Sequence, residues 1–164
     1  MKFDTSIHQT QWVSPLGPMI LAATQQGLAG VWFADQKHLP DHAAWRSEPA
    51  SPLLLKAARQ LGEYFAGRRR AFELPLDLGA GTAFQQSVWQ ALLQIAPGHT
   101  SSYGAISQRI GKPKAVRAVG GAVGHNPLSI IVPCHRVMGS DGSLTGYAGG
   151  LQRKTALLQL EGAL

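Results

Sequence analysis

The chain has 164 residues, 45% hydrophobic and 15% charged, enough for one good core or two small domains sharing an interface. No apolar run approaches the ~18 residues of a membrane span, and the start MKFDTSIHQTQW lacks a signal peptide's apolar stretch. The net charge is +6, and the one cysteine cannot form an internal disulfide, so a reducing compartment, the cytoplasm, is expected.

In chain order, QTQWV, the turn SPLG, PMILAA, the turn TQQG and LAGVWF read as antiparallel β. Residues 34–49 are polar without a period and read as loop. Ser51-Pro52 opens a helix, with Ser as N-cap and Pro at the first helical position. Leu53, Leu54, Ala57, Leu61, Tyr64 and Phe65 form its apolar face, and Gly67 ends it. RRRAFELPLDL is compatible with a further strand, and Arg68-Arg69-Arg70 reads as a solvated helix end.

The Gly-rich DLGAGT marks a boundary, which divides the chain into residues 1–80 and 81–164. Thr82 caps a helix with apolar positions Phe84, Val88, Ala91, Leu92 and Ile95, stopped by Pro97-Gly98. A short helix follows over residues 102–110, and Gly111 closes it. KPK restarts the chain, with Pro113 in a first helical turn, and AVRAVGGAVG forms a third helix. Two short helices joined by a tight Gly-containing turn match a helix-turn-helix. Val116, Val119 and Val123 are expected to pack inward, which leaves Ala115, Ala118, Gly121 and Ala122 as a nearly bare face. Glycine costs a helix about 1 kcal/mol relative to Ala. Close approach of another backbone compensates that loss, either a helix of the protein itself or a nucleic-acid groove.

The charge is unevenly placed. Residues 1–81 carry eight Lys/Arg against seven Asp/Glu, whereas residues 82–164 carry seven against two. No acidic residue stands between Asp77 and Asp141, while Arg109, Lys112, Lys114, Arg117 and Arg136 fall in that gap. Carboxylates would oppose the counterion release that drives nucleic-acid binding, so this asymmetry points to DNA or RNA and to the second half. Lys112, Lys114 and Arg117 cluster at the start of the third helix, where the backbone N–H groups also favour phosphate.

After that helix come His125-Asn126-Pro127, an apolar strand over residues 128–132, and Pro133-Cys134-His135-Arg136. A lone cysteine is usually a small buried hydrophobe. A thiol attacks as thiolate, and Arg136, His135 or a helix N-terminus can favour that form. In an extended strand, Cys134 and His135 would point to opposite faces. They share a site only if the chain turns at Pro133 or a water links them. His99 and His125 are read as a loop and a helix end, without a role.

The words RAVGGAVGHNPLSIIVPCHRV and GSLTGYAGGLQRKTALLQLEG resemble the O6-alkylguanine-DNA alkyltransferase family. The resemblance runs over residues 82–162; the first half fits the family only in layout. It implies an α/β (α+β) N-terminal domain with a small antiparallel sheet, and a mainly α C-terminal domain of winged-helix-like helix-turn-helix type. It further implies transfer of an alkyl group from guanine O6 in duplex DNA, possible at O4 of thymine as well, to Cys134 after base flipping.

By the same resemblance, His135 matches the histidine that deprotonates the thiol through a water, and Glu161 the carboxylate that orients it. Asn126 matches the asparagine that braces the turn. Tyr103 matches the tyrosine that rotates the nucleotide and protonates the departing guanine, since departure as an anion would be unfavourable. Arg117 matches the arginine that fills the vacated space, on a small-residue helix (Lys114, Ala115, Ala118, Gly121, Ala122) that enters the minor groove. Val137, by its carbonyl, and Gly146, Tyr147, Ala148 and Gly149 match the walls of the guanine pocket. Some members carry serine where Ala148 stands, so a hydroxyl contact is missing here. Others bind zinc in the N-terminal domain, but residues 1–81 hold no cysteine and only His8, His38 and His42. No metal and no cofactor are expected, and the chain is expected to act as a monomer. Two other classes compete: a non-catalytic helix-turn-helix lesion sensor, and a cysteine hydrolase using Cys134, His135 and Glu161.

Overall fold

The structure, a computed structural model, describes residues 1–164. Strands β1 (His8–Ser14), β2 (Gly17–Thr24) and β3 (Gly27–Phe33) form the expected antiparallel meander. A two-residue strand β4 (Arg46–Ser47), inside the segment read as loop, joins β1 in parallel. The sheet therefore runs β3-β2-β1-β4 and is mixed rather than wholly antiparallel. The Gln9 side chain fastens the loop there, donating to the carbonyls of His42 at 2.8 Å and Trp45 at 3.2 Å.

Both faces of β2 and β3 are covered, so the two strands read as apolar runs. Met19, Leu21, Val31 and Phe33 face the main core. Ile20, Ala22, Ala29 and Trp32 face a smaller cluster closed by Phe3, Leu39 and Trp45. Gly30 lies under the Trp32 indole, where a Cβ would come within 1.9 Å of the ring. Helix α1 (Pro52–Phe65) packs on this sheet and places Leu54, Ala57, Leu61 and Tyr64 inside. The segment RRRAFELPLDL does not form a strand: one bridge links Leu76 to Leu28. Pro75 lacks the N–H that a longer ladder would need.

The second half contains α2 (Ala83–Leu92), β5 (Ser101–Ser102), α3 (Tyr103–Arg109), α4 (Val116–Gly124), a 3₁₀ turn (Cys134–Arg136), β6 (Val137–Met138) and α5 (Leu151–Leu160). Thr82 and Gln85 form a reciprocal capping box at α2. Pro113 lies before α4, in a turn closed by Ala115 N–H on the Lys112 carbonyl at 2.9 Å. The inward face of α4 is Val119, Ala122 and Val123, whereas Val116 is 41% exposed. This reverses the expected placement of Val116 inside and Ala122 on the bare outer face. Residues 119, 122 and 123 stand at i, i+3 and i+4, so they share the stripe that meets α2. The Trp89 indole N–H seals that contact on the Ala122 carbonyl at 2.8 Å.

One continuous hydrophobic core joins both halves, from Met19 and Leu54 to Val132 and Leu157. No helix is long and apolar enough to cross a membrane.

Candidate active site

The outer edge of β3 carries the segment that leads to the cysteine. Val31 N–H donates to the Pro127 carbonyl at 2.8 Å, and Ser129 N–H donates to the Val31 carbonyl at 2.9 Å. Beyond this single bridge, residues 128–132 do not continue as the expected strand. Asn126 takes the groups a ladder would use: Oδ1 accepts from Leu128 N–H at 2.9 Å, and Nδ2 donates to the Val132 carbonyl at 2.7 Å.

The backbone instead folds through two tight turns. Ile131 N–H reaches the Ser129 carbonyl at 2.9 Å around Ile130, whose φ is 74°. A β-branched residue rarely adopts that conformation, and the surrounding contacts must hold it. Pro133, at φ −82° and ψ 64°, then forms an inverse γ-turn closed by Cys134 N–H on Val132 at 2.8 Å. The chain thus turns at Pro133, the condition under which Cys134 and His135 can share a site.

Cys134 is 6% exposed. Burial pushes its thiol up to about 11, and the neighbouring Asn126 amide and Lys154 ammonium offset only part of that. His135 is fully buried. Its Nε2 lies 2.8 Å from Glu161 Oε2, while Nδ1 is buried without a partner. Burial alone would raise the Glu161 carboxyl, but hydrogen bonds from His135, Arg136 and Tyr64 outweigh it and hold the group at about 2. An ionised Glu161 requires the proton of neutral His135 on Nε2, which leaves the Nδ1 lone pair free. Burial lowers His135 below its ordinary value, against the opposing pull of Glu161. A neutral imidazole with an open acceptor, on the residue that follows a protonated thiol, is suited to general base chemistry.

Above the thiol lies a cleft of about 680 Å³, lined by Cys134, Tyr103, Gly120, Val123, Gly146, Tyr147, Ala148 and Gly149 among others. A larger cleft of about 800 Å³ opens beside residues 1–7 and the 38–46 loop, and Cys134 is not part of it. β5 pairs in parallel with β6, which brings Tyr103 against the segment after the cysteine. The Thr145 and Tyr103 hydroxyls lie within hydrogen-bond distance, at 3.2 Å. Val137 does not line the cleft: it is fully buried, and its carbonyl accepts from Lys154 Nζ at 2.6 Å.

On α4 and the turn before it, Lys114, Arg117, Ala118 and Gly121 are exposed at i, i+3, i+4 and i+7, and Ala115 is half-buried. A Cβ on Gly121 would meet nothing within 4 Å. No backbone of the protein packs there, so the glycine is not explained by an internal helix contact. His125, read as a plain helix end, stacks on His38 with ring centroids 3.9 Å apart. No three His, Cys, Asp or Glu side chains come together as a metal site would need.

Sequence reading missed two buried side chains. Lys154 is wholly buried, and its ammonium ties the Val137 carbonyl to that of Thr145 at 3.1 Å. Its i, i+3, i+4 relation to Leu157 and Leu158 was the available signal. Tyr64 belongs to the apolar face of α1 by its spacing, yet its hydroxyl reaches Glu161 Oε2 at 2.5 Å. Arg136 faces Glu161 rather than the thiol.

Residues 83–163 match the family described as 6-O-methylguanine DNA methyltransferase, DNA binding domain, and residues 7–78 match its ribonuclease-like domain. The chain belongs to the 6-O-methylguanine DNA methyltransferase family. It is 50% identical over 155 residues to a methylated-DNA–protein-cysteine methyltransferase of Mycobacterium tuberculosis, covering 94% of this chain and 92% of that relative. A Haemophilus influenzae protein of the same name is 43% identical over 158 residues, covering 96% and 87%. Among solved structures, M. tuberculosis OGT in complex with DNA superposes with a TM-score of 0.88 at 48% identity, covering 95% of this chain and 93% of that one.

Proposed function

We propose that this methyltransferase repairs duplex DNA directly, moving an alkyl group from O6 of a flipped guanine to Cys134. The observation that carries this reading is the lone buried thiol at the floor of the 680 Å³ cleft, next to a histidine whose Nδ1 is unpaired. His135 takes the thiol proton at Nδ1 through a water, and Glu161 holds the ring by Nε2. The sulfur forms a bond to the alkyl carbon as the carbon–O6 bond breaks, and Tyr103 delivers a proton to the departing base. Asn126 braces the turn that presents the sulfur.

Lys114 and Arg117 face phosphate and the opened duplex. Ala115, Ala118 and Gly121 offer the low surface that a minor-groove approach needs. Gly146, Tyr147, Ala148 and Gly149 enclose the extruded base, and Val137 supports that wall from behind. Residues 81–164 thus carry DNA binding and the acceptor, and residues 1–80 support them. The product is a thioether with no carbonyl for water to attack, so each monomer acts once. A free thiol of this kind suits the reducing cytoplasm.

The test is to mix the protein with excess duplex oligonucleotide carrying one O6-methylguanine and follow protein mass and DNA product together. One methylene gained on Cys134, with repaired DNA levelling off at one equivalent, is expected. The Cys134→Ser variant should bind the duplex and transfer nothing; transfer by that variant would overturn the reading. Tight lesion binding without any mass change would favour the sensor class instead.

A further inference from the structure

Glu161 accepts four side-chain hydrogen bonds, and one of them crosses from the other half of the chain. The Tyr64 hydroxyl, on α1, donates to Oε2 at 2.5 Å. The same oxygen accepts from His135 Nε2 at 2.8 Å and from Arg136 Nη2 at 2.9 Å. Arg70, just beyond α1, donates to the Glu161 backbone carbonyl at 3.2 Å. We infer that Tyr64 is a positioning residue for the alkyl transfer, through which the N-terminal unit sets the proton affinity of His135. The inference rests on the reading of His135 as the base.

The physical argument concerns shared charge. Three donors converge on Oε2, and each draws on the same negative charge. The groups facing His135 and Glu161 come from several elements: Tyr64 and Arg70 from the N-terminal unit, Arg136 from the 3₁₀ turn, and Lys154 from α5. Arg136 and Lys154, together with burial, disfavour the imidazolium, and Glu161 is the one group that favours it. A donor on Oε2 weakens that single pull and keeps the ring neutral, the form that can accept the thiol proton. Tyr64 can hold this post at any working pH, because burial and the adjacent carboxylate push its own ionisation far upward. Its ring is 3% exposed and packs against Phe65 and Phe72, so the hydroxyl has little freedom to leave.

Tyr64→Phe removes the hydroxyl and keeps the ring. Single-turnover transfer from the O6-methylguanine duplex would be followed over roughly pH 5 to 9, alongside the His135 titration read by nitrogen NMR in the free protein. The acid limb of the rate and the His135 midpoint should both move upward, by about 0.5 to 1 unit, with duplex affinity and the high-pH rate retained. An unchanged profile with a lower melting temperature would make Tyr64 purely structural and overturn the inference, as would an equal loss at every pH. If the wild type itself transfers nothing, the proposed function fails, while the His135 titration still decides the role of Tyr64.

Discussion

Arg136 and Glu161 meet side-on inside the protein, with Nε on Oε1 at 2.8 Å and Nη2 on Oε2 at 2.9 Å, and both side chains nearly free of solvent. The third arm of the guanidinium donates to the Ile95 carbonyl at 2.5 Å, which ties the end of α5 to the segment after α2. Removing one partner of such a pair strands a buried charge and costs about 3–5 kcal/mol. Arg136→Ala should lose that much in urea unfolding. Arg136→Lys should recover only part of it, since an ammonium cannot bond both oxygens as the planar fork does.

Stability should fall in acid, in two windows. Glu161 is held at about 2 when folded, against an ordinary 4.5. Its contribution is therefore present above about 4.5 and is lost as pH falls toward 2. His135 is depressed below its ordinary 6.5 by burial, so the unfolded chain binds that proton first and stability also declines as pH drops below about 6.5. Glu161→Gln should flatten the lower window in denaturant titrations at fixed pH. An unaltered slope there would mean that other carboxylates dominate.

The rate of transfer should respond to pH through His135 rather than through free thiolate. With the thiol near 11, unassisted attack would accelerate about tenfold per pH unit from 7 to 10, following the thiolate fraction. With His135 accepting the proton, the wild-type rate should be nearly flat above neutrality. His135→Ala should be slower by roughly 10²–10⁴ at pH 7 and should climb steeply with pH. A parallel, flat profile for the variant would remove the base role.

On the proposed function, substitutions on the exposed face of α4 should separate DNA binding from folding. Gly121→Ala should stabilise the protein by up to about 1 kcal/mol, because the new methyl meets nothing. Gly121→Leu should fold equally well yet bind duplex DNA more weakly, by crowding the approach to the groove. Arg117→Ala should weaken reaction with duplex DNA while reaction with a free O6-alkylguanine base stays nearly intact. Equal loss on both substrates would mark Arg117 as structural.

Much of the fold was readable because local signals agreed with one another. Ser51-Pro52 and Thr82 marked helix starts, and SPLG and TQQG marked the hairpins. Where reading failed, a long-range partner had intervened. Residues 128–132 have a strand's composition, but the Asn126 side chain consumes their ladder groups. Val116 and Ala122 exchanged places because α2 chose which stripe of α4 to cover.

The sequence by itself determined the chemistry on offer: one thiol, a histidine and an arginine directly after it, an acid-free basic stretch and a small-residue helix. These are properties of composition and near-neighbour order, which need no fold to be expressed. Only the tertiary structure decided which groups are charged and which face each other. Tyr64 and Glu161 stand 97 positions apart and share one hydrogen bond. Lys154 reaches 17 positions back to Val137. Such pairings depend on how the apolar faces of α1 and α5 are buried around the same core, and no local pattern encodes that distance.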